Sequence, residues 1–217
     1  INPAAVTMSD TIRFVNIEIA QRHRYIYETE EILDRHLPAN SESISSELLL
    51  QMVGRPFKNA FIKNIILNTV IRCLKSPKDI FSANKVKAYF HEHAAIVIAL
   101  PFNKKSYKMF HCDARKMPIH DKSIELILTS PPYINVFNYH QNSRDVMESA
   151  GWDLLKVSKS EMGANRKNRG NRYYTVIQYA MDMMSAMKEM ARVTTNKGRI
   201  IIIVGRQSKI RGVKFAN

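Results

Sequence analysis

Cysteine is nearly absent: Cys73 and Cys112 are the only two in 217 residues. They lie far apart, which excludes a disulfide framework and a four-cysteine zinc site and fits a reducing cytoplasm. Long apolar runs are missing too; no tract of about eighteen apolar residues offers a membrane span. Glycine is scarce, and the seven present, at 54, 151, 163, 170, 198, 205 and 212, contain no closely spaced pair of the kind that cradles a cofactor. The opening from Ile1 to Val6 has neither the charged start nor the long apolar stretch of a secretion signal. Starting on isoleucine, it suggests an internal starting point with a preceding piece. Acidic residues are in deficit, 19 against 33 basic ones, and the net charge of +14 favours a polyanionic partner, DNA or RNA.

What is present suits a folded globular chain: 45% of residues are hydrophobic, and the length allows one core domain carrying a smaller insertion. Ile1 to Val6 reads as the exit of a strand, turned by Pro3. A helical stretch follows from about Thr11 to Leu37, and Leu37-Pro38-Ala39-Asn40-Ser41 breaks it. A second begins near Ser45 or Ser46, where a hydroxyl can cap free amides, and runs to Leu74 with Gly54-Arg55-Pro56 interrupting it. Its part from Phe61 to Leu74 is apolar on more than one face, as in a helix wedged between others. Residues 11–90 are therefore expected to form a helical insertion within a single domain spanning 1–217.

Beyond it, Ala94–Leu100, Tyr107–Cys112, Ile124–Thr129 and Arg199–Val204 read as apolar strands. Tyr173–Val193 reads as a helix, with Val176, Ala180, Met183, Met184, Met187 and Met190 as its packing face. Asn196-Lys197-Gly198 supplies a turn. Strand, helix and strand in this order predict an α/β domain with a doubly wound, largely parallel sheet.

The sharpest motif is Thr129-Ser130-Pro131-Pro132-Tyr133, directly after the strand Ile124–Leu128. Two consecutive prolines lack amide donors and hold the chain extended, fixing a loop at a strand's C-terminal edge, where α/β sheets place ligands. A hydroxyl, a proline carbonyl and an aromatic face on one rigid loop suit an amino group on a flat ring. The oxygens accept its hydrogens, and the aromatic ring stacks on the base.

This motif resembles that of the S-adenosylmethionine-dependent DNA amino-methyltransferases, which make N4-methylcytosine or N6-methyladenine. The Ser130-Pro131-Pro132-Tyr133 form is most similar to the cytosine-N4 branch. The resemblance implies a Rossmann-like seven-stranded sheet, a target base flipped from the duplex, and catalytic roles for Ser130, Pro131, Pro132 and Tyr133. It also implies that Asp113 accepts from the cofactor adenine, with the Ala114 amide beside it, that Ile1 covers an adenine face, and that Ser130 lies against the cofactor. The family's glycine-rich loop and acidic ribose-binding residue have no counterpart here. A preceding polypeptide is expected to supply them.

Nucleic-acid contacts are expected from Asn135 and from Arg166, Lys167, Arg169 and Arg172, four cations among glycines and asparagines without one acid between 163 and 172. Arg206, Lys209, Arg211 and Lys214 extend the same field. His91-Glu92-His93 does not read as a metal site, because three adjacent residues cannot all face one ion. Two other readings stay open: an RNA amino-methyltransferase acting on guanine N2 or a similar amine, and a nucleic-acid-binding subunit without turnover.

Overall fold

The computed structural model describes residues 3–37, 43–75, 80–132, 153, 162, 172–210 and 213–216. They fall into a helical unit within residues 2–109, to which residue 153 also belongs, and a strand-and-helix unit within residues 110–132 and 162–216.

The helical unit opens with α1 (Pro3–Ser9), continues as a 3-10 helix (Asp10–Asn16), and turns into α2 (Ile19–His36). Then come β1 (Ile44–Ser45), α3 (Ser46–Val53), α4 (Ala60–Leu74), β2 (Ile80–Phe81) and α5 (Ala83–Ala99). β1 and β2 pair antiparallel, Ile44 opposite Phe81. Three helix starts are written in capping side chains, each accepting a bond from a free amide of the first turn. Ser45 accepts from the Leu48 amide, Asn59 from that of Phe61, and Ser82 from that of Lys85. α4 buries Ile62, Ile65, Ile66, Val70, Ile71, Cys73 and Leu74, and packs against α1, α2, α3 and α5. Its many-sided apolar surface thus has the wedged position expected of it. Burial pushes the Cys73 thiol up to about 12.

Arg22 is fully buried in this unit. Its Nε donates to the Ile17 carbonyl at 2.7 Å, Nη1 to Val97 at 3.0 Å and to Leu100, and Nη2 to Pro101 at 3.2 Å. The guanidinium thereby satisfies carbonyls at the C-terminal end of α5, which have no partners within the helix. Burial lowers its pKa from the ordinary value.

In the second unit, β3 (Ile124–Thr129) pairs in parallel with β4 (Thr194–Ile202), and α6 (Arg172–Val193) leads straight into β4. β5 (Gln207–Ile210) and β6 (Val213–Ala216) form an antiparallel hairpin. The architecture is mixed α/β with a small parallel sheet. No described helix is long and apolar enough to cross a membrane.

Several local expectations are corrected. Ile1–Val6 was expected to leave a strand, but Pro3 opens α1, a position where its fixed φ and missing amide cost nothing. Ala94–Leu100 is helical through Ala99: Val86, Phe90, Ala94 and Val97 share one buried face at helical spacing, and packing overrides the β preference of Ile96-Val97-Ile98. Tyr107–Cys112 forms no strand. Asn196-Lys197-Gly198 lies inside β4, in an irregularity where the pairing jumps from Ile124–Thr194 to Leu126–Arg199. There a β-carbon on residue 198 would stand 2.5 Å from Thr194 Cγ2 and 3.0 Å from the carbonyl oxygens of Ile124 and Glu125. Only glycine fits such an approach.

The face of α6 that packs is only in part the one expected: of the predicted stripe, Met190 is buried. Asp182, Ala186, Met190 and Val193 are buried, while Met184 and Met187 remain about half exposed, at 52% and 50%. The buried stripe is rotated from the methionine stripe because a polar network fastens its Asp182 edge.

Candidate functional site

β3 ends at Thr129 and delivers Ser130, exposed, followed by the half-buried Pro131 and Pro132. The Thr129 carbonyl accepts from the Ile203 amide at 2.9 Å, so the strand edge is held up to the start of the loop. Neither proline can donate a backbone bond, and the loop is fastened instead through an acceptor: Tyr179 Oη on α6 donates to the Pro132 carbonyl at 2.8 Å. Partial burial raises the Tyr179 pKa, keeping the hydroxyl protonated and a donor.

Asp113 closes a short turn, bridged to Lys116. Its carboxylate accepts from the Arg115 amide at 2.9 Å and from the Arg115 guanidinium, Nε at 3.0 Å and Nη2 at 2.7 Å. Arg115 Nη1 in turn donates to Asp182 Oδ1 at 2.6 Å, and Gln178 Nε2 donates to the same oxygen at 3.1 Å. The hydrogen bond from Arg115 holds the Asp113 carboxyl below the usual carboxylate range, and Asp113, before the smaller effect of Asp182, raises the Arg115 pKa.

Further along α6, Glu189 accepts from the Met117 amide at 2.7 Å and pairs with Arg192, which holds the Glu189 carboxyl down at about 2. Arg192 also donates to the carbonyls of Met117 and Ile119 and to Asp121. One helix therefore fastens both motif-bearing segments. Tyr179 and Asp182 are three residues apart, so their β-carbons lie about 5–6 Å from each other on one helix face. The proline loop and the Asp113 turn are tethered within a single turn of α6.

Among the residues singled out from sequence, Ser130, Pro131, Pro132, Asp113 and Ala114 are placed in this assembly. Arg172 opens α6, where its backbone alone is described. Ile1, Tyr133, Asn135, Arg166, Lys167 and Arg169 lie outside the described residues. Arg115, Tyr179, Asp182, Glu189 and Arg192 were not anticipated. Their one signal in sequence is a run of polar positions, Gln178, Asp182 and Glu189, at helical spacing on a helix otherwise rich in methionine. Of the expected non-metal triplet, His91 faces Glu30 at 3.5 Å, Glu92 pairs with Arg72, and His93 is buried.

Comparison with known family models, with curated proteins and with solved structures gives no match.

Proposed function

We propose that this chain is the target-binding part of an S-adenosylmethionine-dependent amino-methyltransferase acting on a nucleobase, in DNA by preference, at cytosine N4 or adenine N6. The observation that carries the reading is the Ser130-Pro131-Pro132 loop at the C-terminal end of a parallel strand, with its serine exposed and its second proline held by Tyr179. An exocyclic amine is a poor nucleophile because its lone pair is delocalised into the ring. Ser130 Oγ and the Pro131 carbonyl accept the amine's two hydrogens and draw them out of the ring plane, freeing the lone pair. The Tyr133 ring stacks on the base. The cofactor, when bound, supplies the methyl group on a sulfonium, and placement of the amine in line with it can lower the barrier by roughly 7–11 kcal/mol in favourable cases.

The fit to the cofactor is uneven. Arg115 makes four contacts to the Asp113 carboxylate, which has about four acceptor positions, so the adenine amino group would have to displace one of them. For the methionine end the described residues offer no glycine loop. A second polypeptide segment carrying that loop is part of the proposal. It is supported by apolar side chains left open on β3 and β4, Leu126 at 56% and Leu128 at 65% exposure, with Ile201 opposite Leu128.

Transfer of labelled methyl groups from S-adenosylmethionine, measured on duplex DNA and on tRNA with the glycine-loop segment added, tests the reading. Transfer to DNA lost in Ser130→Ala and Tyr133→Ala, with nonspecific duplex affinity retained, is the expected result. Modification of tRNA alone would move the assignment to the RNA reading. The non-catalytic reading draws on one observation, the engagement of Asp113 by Arg115, and predicts duplex binding with no calorimetric response to the cofactor.

A further inference from the structure

α6 is apolar on two opposite sides. On one, Ala186, Met190 and Val193 are buried. On the other, Tyr174, Ile177, Met181, Met184 and Met187 are each between 50% and 55% exposed. The first four of these follow one another at alternating three- and four-residue steps, the spacing of a seam by which one helix packs lengthwise against another. A surface helix ordinarily carries charge opposite its buried face. Here every exposed residue from Tyr174 to Met187 is uncharged, although 24% of the chain is charged. The one acid in that span, Asp182, is buried and held by Arg115. A surface rich in methionine, carrying a tyrosine and empty of charge has the composition of an interface centre.

Its size bears on what covers it. A whole aromatic side chain buries about 150–250 Å², so each half-exposed residue of the stripe leaves on the order of 100 Å² open. One stripe offers about 500 Å² and two facing stripes about 1,000 Å², which reaches the lower bound for a specific protein interface.

We propose that α6 of one copy of this chain packs antiparallel against α6 of a second copy through this stripe. The stripe is complementary to itself in that order. A two-fold axis between Ile177 and Met181 sets each of these residues opposite the other in the second copy, and sets Tyr174 opposite Met184, so that a sulfur meets an aromatic ring at both ends. Lys188, exposed at the next seam position, then falls at opposite ends of the contact, whereas a parallel pair would bring the two lysines together. Antiparallel order also brings unlike ends of the helix dipoles together. The net charge of +14 opposes association, and the stripe itself bears none, so salt should tighten the pair by screening the repulsion. The proposal is independent of the methyl-transfer reading.

Sedimentation equilibrium of the full chain, at low and high salt, tests it. A monomer–dimer equilibrium that tightens with salt is expected. Ile177→Glu and Met181→Glu, both changes at half-exposed positions, should each weaken the dimer at least tenfold with circular dichroism unchanged. Leu126→Glu, on β3, should leave it unaltered. A chain that stays monomeric, a dimer loosened by salt, or an affinity unchanged in both α6 variants overturns the interface, as does an equal loss in Leu126→Glu. Mixing Tyr174→Cys with Met184→Cys chains under mild oxidation tests the order of the helices by mass spectrometry. The mixed disulfide should dominate, and a preference for like pairs overturns the antiparallel arrangement.

Discussion

In the helical unit a single guanidinium, Arg22, is fully buried and spends its donors on backbone carbonyls; in the strand-and-helix unit Arg115 and Arg192 stay partly open and spend theirs mainly on carboxylates. The apolar groups divide the same way. The buried hydrophobic cluster, from Phe14 to Val97, belongs wholly to the helical unit, while β3, α6 and the residue following β4 leave Leu126, Leu128, Tyr174, Ile177, Met181 and Ile203 more than half exposed. The first unit is stabilised by burial. The second is held in shape by charge-assisted bonds around its motif segments, a construction that fixes geometry while leaving apolar surface exposed.

The sharpest way to break this contrast is to remove the buried guanidinium. Arg22→Met leaves the carbonyls of Ile17, Val97, Leu100 and Pro101 without their donor, and a loss on the order of 4 kcal/mol is expected. Hydrogen exchange read by mass spectrometry should show α2 and α5 losing protection while β3 and α6 keep theirs. Equal loss in both units would show that the two do not unfold separately.

Acid should separate them as well. His93 has its pKa lowered from 6.5 to about 4, first by burial and then by Arg72, so the unfolded chain binds the proton more readily. Its contribution, about 3 kcal/mol by linkage, is complete above pH 6.5 and is lost as the pH falls toward 4. Glu189, lowered from 4.5 to about 2 chiefly by Arg192, contributes stability above pH 4.5 that is lost only as the pH falls toward 2. Exchange protection at pH 5 should therefore drop in α4 and α5 before it drops in α6. Simultaneous loss, or α6 failing first, contradicts these assignments.

The helices α2 to α4 and α6, and the strands β3 and β4, were legible because each carries its own local signal: a capping serine, the Gly54-Arg55-Pro56 break, a helical spacing of residues, or an apolar run too short for a helix. The end of α5 was not, because Ile96-Val97-Ile98 has no period that distinguishes a buried helix from a strand. Its state is decided by Val86 and Phe90, about three and two turns away. The candidate site divides similarly. Ser130-Pro131-Pro132 is visible as a contiguous motif, but Arg115 and Asp182 meet across 67 residues and Tyr179 meets Pro132 across 47. No local pattern announces either contact.

That long-range tether gives a smaller perturbation. Asp182→Asn keeps the shape of a side chain that is 9% exposed but removes the charge facing Arg115. A loss of about 1–3 kcal/mol is expected, in the range for hydrogen bonds to charged groups. Chemical shifts should change at Asp113 and Arg115 and, through α6, at Tyr179, while the helical unit stays unaltered. No loss in thermal unfolding would mean that Asp113 holds Arg115 unaided.

The smallest expected effect has the opposite sign and tests whether the second unit also contains removable strain. Lys122, in the turn entering β3, has φ of 52°, the one positive value for a non-glycine among the described residues. A side chain in this left-handed region costs roughly 1–2 kcal/mol because its β-carbon crowds the following carbonyl. The turn is kept because its backbone is committed: the Lys122 amide donates to the Arg192 carbonyl at 3.0 Å and the Ser123 amide to that of Val193 at 2.8 Å, joining the strand entry to the end of α6. Lys122→Gly preserves both bonds and removes the crowding, at the expense of one long contact from Nζ to the Ala191 carbonyl at 3.4 Å. Glycine also has more freedom to lose on folding, so the net gain should be about 1 kcal/mol or less, a rise of roughly 2–4 °C in Tm at most for a chain of this size. Lys122→Ala separates the causes, since it removes the Nζ contact and keeps the β-carbon. Calorimetry should rank glycine above lysine and lysine at or above alanine. If alanine stabilises as much as glycine, the gain comes from the lost side chain and the turn carries no strain.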